Sequence, residues 1–363
     1  MFSPLIILIM IDSTVIQKLT KLLHYVQRFG DHNYELLGEL TGIENVGNVL
    51  SNLKVLVIPS PKLDSLGLSL FHATIKLTRN SKVKPLDFYY LLDGMVVASV
   101  RDVLTSDTIV LDVVFPMGRW DFVQILEMMS ERGLIGNYKT YLEYRREVYP
   151  VDYSTFNFDT LTFERVILDK PREPFQLPDL TDEFKPDWID VYTLGKKQEN
   201  PLRSWNDIAE SIGVTADEVV DHYFNHVVGK GLVDAFYTYL GKTDFRMTLI
   251  VNDISEDIAR ELSRIVTLLR ISYLHNDKIY AFIVGQRHTL IDIMEFINKL
   301  SSAYHFSYEI YVHPITPLRD FVRTYSIPYE HFTKDNKWSI TPKELKENFE
   351  KELSRVWEER KNA

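Results

Sequence analysis

The sequence predicts an α+β protein built as an internal duplication. A winged helix-turn-helix is followed by a ferredoxin-like β-α-β-β-α-β domain, the pair occurs twice, and a C-terminal helix closes the chain. Three observations carry this. Residues 119–129 read RWDFVQILEMM, and 168 positions later residues 287–297 read RHTLIDIMEFI, with Arg first, Ile seventh (Ile125, Ile293) and Glu ninth (Glu127, Glu295). The strand-like FHATIKL beginning at Phe71 matches FRMTLIV beginning at Phe245, 174 positions on. Each of these strand-and-helix segments is preceded by short helical stretches with a glycine bend, Gly42 or Gly213. An offset held this nearly constant is the mark of a duplicated module.

Taken in order, residues 12–29 place Val15, Ile16, Leu19, Leu22, Leu23 and Val26 on one helix stripe, with Asp12 or Ser13 as N-cap. A short helix Tyr34–Leu40, a turn at Thr41-Gly42 and a third helix near Asn45–Leu53 follow, then the β-branched run Val55–Ile58. In the second copy Trp188–Leu194 is a first apolar segment and Lys196–Pro201 a polar loop. Ser204 caps a helix with Asp207 three residues on, Gly213 ends it, and Thr215 with Glu218 forms a T-x-x-E capping box for the next. The turn Gly229–Gly231 then leads to Leu232-Val233, and Ala235–Leu240 reads as the returning strand of a wing.

After each winged segment the pattern is β-α-β-β-α-β. In copy one it runs Leu70–Leu77, Lys84–Leu92, Val96–Val103, Thr108–Phe115, Asp121–Glu131 and Lys139–Arg145. In copy two it runs Met247–Val251, Glu256–Ile265, Thr267–His275, Lys278–Val284, Leu290–Leu300 and Phe306–His313. Ser106-Asp107 and Asn276-Asp277 are hairpin turns. The helices cover one sheet face and the other is expected to meet a partner sheet. The divisions are 1–64 (winged helix-turn-helix), 65–149 (ferredoxin-like), 150–186 (linker), 187–242 (winged helix-turn-helix), 243–315 (ferredoxin-like) and 316–363 (C-terminal extension). Prolines at 150, 171, 174, 178 and 186 break the linker, although Phe156–Leu168 has room for a strand. The final helix, from Pro342, carries Leu345, Phe349, Leu353, Val356 and Trp357 as an apolar stripe that should dock on its own chain or on a second subunit.

Composition narrows the function. Zero cysteines exclude disulfides, thiolate metal sites and cysteine nucleophiles, and fit a cytoplasmic setting. The run Leu5–Ile11 is too short to span a bilayer and reads as a strand or helix turn in a core or dimer seam, so no membrane partner is expected. No phosphate loop, Gly-x-Gly-x-x-Gly, His-Glu-x-x-His or Gly-x-Ser-x-Gly occurs, so neither catalysis nor a cofactor is expected. His222 and His226 are the one i,i+4 histidine pair. They make half of a zinc site, but with no third ligand nearby in sequence they read as two polar residues on a helix.

The string NDIAESIGVTADEVV (Asn206–Val220), the KGLV that follows, a short wing and a β-α-β-β-α-β domain together resemble the Lrp/AsnC family of prokaryotic transcription regulators. The resemblance covers about Trp188–His313, and more weakly Val15–Arg145. It implies a transcription regulator that binds double-stranded DNA, forms dimers through its effector sheets and answers to a small-molecule effector. The matching recognition-helix positions are Asn45, Asn48, Ser51, Asn52 and Lys54 in copy one, and Asp217, Asp221, His222, Asn225 and His226 in copy two. Copy one offers amides to adenine edges, whereas the two carboxylates of copy two repel phosphate. The effector loop is reduced to Pro116-Met117-Gly118 and Val284-Gly285-Gln286. A net charge of −10 requires the cations to cluster, so Lys54, Lys62, Lys196, Lys197, Arg203, Lys230 and Lys242 are expected near the DNA backbone. A homodimer is expected, because the N-terminal run and the C-terminal stripe need cover. The alternative is a winged-helix scaffold that binds proteins rather than DNA.

Overall fold

The computed structural model describes residues 13–79, 81–176, 184–315, 322–324 and 326–361. Helix α1 (Ser13–Phe29) buries Leu19, Leu22, Leu23 and Val26, while Val15 and Ile16 at its start are exposed. Asn33 accepts from the Leu36 N–H at 3.0 Å to start α2 (Tyr34–Thr41), which Gly42 ends in the left-handed region. Helix α3 (Val46–Leu53) then turns Val46 and Leu50 inward and leads to strand β1 (Leu56–Pro61).

The first ferredoxin-like unit is β2 (Leu68–Leu77), α4 (Pro85–Leu91), β3 (Val96–Arg101), β4 (Thr108–Pro116), α5 (Asp121–Glu131) and β5 (Ile135–Val148). The linker holds a small hairpin, β6 (Phe156–Asn157) and β7 (Thr162–Phe163). Helices α6 (Trp188–Glu199), α7 (Trp205–Ile212) and α8 (Ala216–Asp221) follow; α8 passes directly into a π-helix, His222–Val228, and then strand β8 (Val233–Tyr239). The second unit is β9 (Phe245–Val251), α9 (Glu256–Leu262), β10 (Leu268–Leu274), β11 (Lys278–Gly285), α10 (Leu290–Tyr304) and β12 (Tyr308–Pro314). An edge strand β13 (Val322–Thr324) and the final helix α11 (Pro342–Lys361) end the chain. Among the described residues no helix is long and apolar enough to cross a membrane.

The architecture is therefore α+β, duplicated, and closed by a helix. Both units have the same strand order, β5-β2-β4-β3 and β12-β9-β11-β10, and they join through β5 and β10 into one nine-stranded sheet with β13 on its edge. Strand β5 is long because it serves twice. Its first part pairs with β2, and Glu143–Val148 pairs with β10. The sheet coils enough for side chains three strands apart to meet: the His72 ring on β2 stacks on Tyr280 of β11 at 3.8 Å. Its far ends also approach, with the Val103 N–H donating to the Val312 carbonyl at 2.9 Å. The matched isoleucines, Ile125 and Ile293, are both buried beneath their helices.

Three expectations are corrected. Each wing provides a single strand, and the two pair with each other: β1 runs antiparallel to β8, Leu56 opposite Tyr239. The first helix of each copy lies on the other copy's strand, α1 on β8 and α6 on β1. Lys196–Glu199 is not loop but the last turn of α6, which a capping box of Asp187 and Asp190 starts firmly. The C-terminal stripe is covered by its own chain: Leu345, Phe349 and Leu353 pack with α4 and α5, which removes that reason for a dimer. The other reason, Leu5–Ile11, lies outside the described residues, as do the side chains of Val356 and Trp357.

Candidate metal centre

Two helix ends build the site. At the start of α6, Asp187 has an extended backbone and its Oδ1 accepts from the N–H groups of Ile189 (2.9 Å) and Asp190 (3.1 Å), while Asp190 Oδ2 accepts from the Asp187 N–H at 2.9 Å. This reciprocal cap fixes both carboxylates and leaves Asp190 Oδ1 pointing away from the backbone. Facing it are the two histidines of the π-helix. His222 Nδ1 lies 2.8 Å and His226 Nδ1 3.1 Å from Asp190 Oδ1, and His222 Nδ1 lies 3.5 Å from Asp187 Oδ1.

One donor atom from each of the four residues falls within 4.8 Å of the others. Tetrahedral ligands bonded at about 2.0–2.1 Å stand roughly 3.3 Å apart, so the four atoms are already near the spacing a metal ion requires. Burial is graded. Asp190 is 1 % exposed, whereas the side chains of Asp187 and His226 are about a third exposed, so the site opens on one side. Burial pushes the Asp190 carboxyl above its usual range, against the lowering effect of its bonds to the Asp187 backbone and His222.

The π-helix matters to this geometry, and such turns are frequent at functional sites. It ends at Gly229, where a Cβ would lie 2.7 Å from the Asn225 carbonyl oxygen and 2.9 Å from that of Phe224. The wide turn therefore needs glycine at its exit. Phe184 flanks the open side, its ring 5.3 Å from that of His226. The partners of the histidines come from a helix start more than 30 residues upstream, which a search for nearby ligands misses. The usable signal was the pairing of D-x-x-D with H-x-x-x-H.

The residues expected to meet DNA are placed differently from one another. Asn48, Ser51 and Asn52 lie exposed on α3, and exposed Asn45 and Lys54 bracket it at either end, both in the left-handed region. In the second copy most candidates are engaged internally. Lys196 sits over the Tyr329 ring at 4.8 Å, and Lys197 over Trp205 at 3.7 Å while donating to the Arg203 carbonyl at 2.8 Å. Arg203 pairs with Glu199 at 3.4 Å, Lys242 with Asp244 at 2.9 Å, and Asn225 donates to Asp221 at 2.6 Å. Lys230 is exposed and Lys62 half-buried.

No family model matches the chain, and no curated protein matches it. Among solved structures, the chain is similar to that of the siroheme decarboxylase NirDL, at 12 % identity and a TM-score of 0.48, over 93 % of this chain and 99 % of that one. A second structure of NirDL, in complex with an iron-uroporphyrin III analogue, is similar at 12 % identity and a TM-score of 0.45 over the same shares.

The geometry of the cluster and of the paired strands corrects the expectation of a double-stranded-DNA-binding regulator without catalysis. His222 and His226, assigned to a groove-facing surface, turn inward onto Asp190 in a cluster able to hold a metal. The strands assigned to projecting wings are consumed in pairing with each other.

Proposed function

We propose that the protein is a metal-dependent enzyme that holds one divalent transition ion on Asp190, His222 and His226, with Asp187 as fourth ligand or as the group displaced when substrate arrives. The observation that carries this is the convergence of four donor atoms within 4.8 Å from two separate helix ends. Two imidazoles and carboxylate oxygens form a borderline donor set suited to zinc or ferrous iron. A bound ion would supply Lewis-acid polarisation of a substrate oxygen or of water. The chain's own part is to hold the carboxylates by the α6 cap and the imidazoles by the π-helix, leaving the Asp187 and His226 side open. The Lrp/AsnC resemblance is kept only as a likeness of architecture.

The test is metal analysis and calorimetry on chelator-treated protein titrated with zinc, cobalt and ferrous ions. One ion per chain is expected, with affinity falling on the order of 100-fold in Asp190→Asn or His222→Ala. The substrate screen starts with siroheme, the group named for NirDL, and any turnover should vanish with the ion. Sub-stoichiometric binding unaffected by either substitution would reject the reading.

A further inference from the structure

On the face of the nine-stranded sheet away from its helices a buried polar cluster sits beside the apolar Tyr141, Ile250 and Leu274. His72, Asp112, Arg246 and Tyr280 are all at most 5 % exposed there. Arg246 Nη2 donates to Asp112 Oδ2 at 2.8 Å and to the Tyr280 hydroxyl at 3.1 Å, and His72 Nδ1 meets Asp112 Oδ1 at 2.8 Å. Arg270, 9 % exposed, sits among them with its charge balanced by Glu143 and Asp112 but with N–H groups left unpaired. Its Nη2 is 3.8 Å from Asp112 Oδ2, beyond hydrogen-bond length, and neither Nε nor Nη2 has a hydrogen-bond partner. Beside it His72 Nε2 faces Glu143 Oε2 at 3.5 Å, and neither these atoms nor Ser272 Oγ has a hydrogen-bond partner. A buried guanidinium is costly without acceptors, and native proteins leave few such groups unexplained.

The cluster reaches a cavity through Glu143. Arg270 and Ser272 project from the same side of β10, and Ser272 lies opposite Arg146 on β5. Arg146 and Glu143 in turn border an open cavity of about 520 Å³ that Lys62, Met117, Asp234 and His275 help to line. Three guanidiniums, Arg146, Arg246 and Arg270, face three carboxylates, Asp112, Glu143 and Asp234, in this region. Burial pushes Asp234 up to about 6, so of the three it gives up its charge most readily. A singly charged head group entering with one proton keeps the chamber neutral. The planar fork of arginine matches a carboxylate through two parallel N–H···O bonds.

We propose that Arg270 is the anchor of a second binding site, for a small carboxylate-bearing molecule that enters by the cavity beside Glu143 and Arg146. The site is distinct from the metal centre and does not depend on it. It is tested on the full chain with metal removed, by thermal unfolding with malonate, citrate and inorganic phosphate at matched ionic strength. The wild type should gain a saturable rise in Tm with a carboxylate. Arg270→Met should lose that rise, and Arg270→Lys, which keeps a charge facing Glu143 and Asp112 but not the planar fork, should lose it too while keeping the fold. Met117→Trp, at the exposed mouth, should block the rise while leaving the unliganded Tm unchanged. A carboxylate shift that survives Arg270→Lys or Met117→Trp, or a shift with phosphate alone, would overturn the proposal.

Discussion

Asp234 shows how burial can defeat an ion pair. Its side chain is 2 % exposed and Arg146 Nη1 stands 3.4 Å away, yet burial pushes the carboxyl up to about 6. Arg146 is shared, held more closely by Glu143 at 2.6 Å, and the negative charges of Asp64 and Glu143 add to the rise. With the folded value above the unfolded one, protonation favours the native state. The contribution is fully present below about pH 4 and lost as pH rises through about 6, for a total of about 3 kcal/mol. Asp234→Asn should therefore flatten the pH dependence of stability between pH 4.5 and 7 by about 2 kcal/mol. Urea unfolding at the two pH values checks this, and equal slopes in both proteins would refute it.

At the scale of elements, the π-helix is the part whose sequence and geometry are most tightly coupled. Gly229→Ala puts a methyl group against two backbone carbonyls, so the turn must re-form and the histidines shift. We expect a stability loss of about 1–3 kcal/mol and metal affinity reduced about tenfold, with all four ligands still present. Calorimetry on the variant distinguishes this from a loop-like exit that accepts alanine. Elements governed by neighbours in sequence were legible beforehand. Ser204 accepts from the Asp207 N–H at 3.1 Å, Thr215 and Glu218 cap each other, and Gly42 and Gly213 both take the left-handed bend. What was not legible depends on pairing over long separations. Nothing local in Leu56–Pro61 says that its partner is Val233–Tyr239, and nothing in His222 names Asp190. His72 likewise reads as an outward residue of an alternating strand, because its burial comes only when the sheet coils back on itself.

At the scale of the molecule, these long-range pairings make two copies into one body. The seam comprises the β1–β8 ribbon, the β5–β10 ladder and the bond from Arg246 of one unit to Asp112 of the other. The linker is sewn in as well. Gln27 of α1 exchanges both amide bonds with Val151, and half-buried Arg172 donates to the carbonyls of Ser263 at 2.6 Å and Leu268 at 3.1 Å as well as to those of Pro150 and Ile265. A separated half would bare an unpaired strand edge and leave Arg246 or Asp112 without its counter-charge, each a strong penalty. We therefore expect residues 1–176 or 184–363 produced alone to be insoluble, and the two produced together to form a soluble one-to-one complex. Size-exclusion chromatography with mass determination reads the result. Two halves that elute separately as folded monomers would show that the duplication left two independent proteins on one chain. A complex that also binds one metal ion would show that the seam, rather than the covalent link, holds the molecule together.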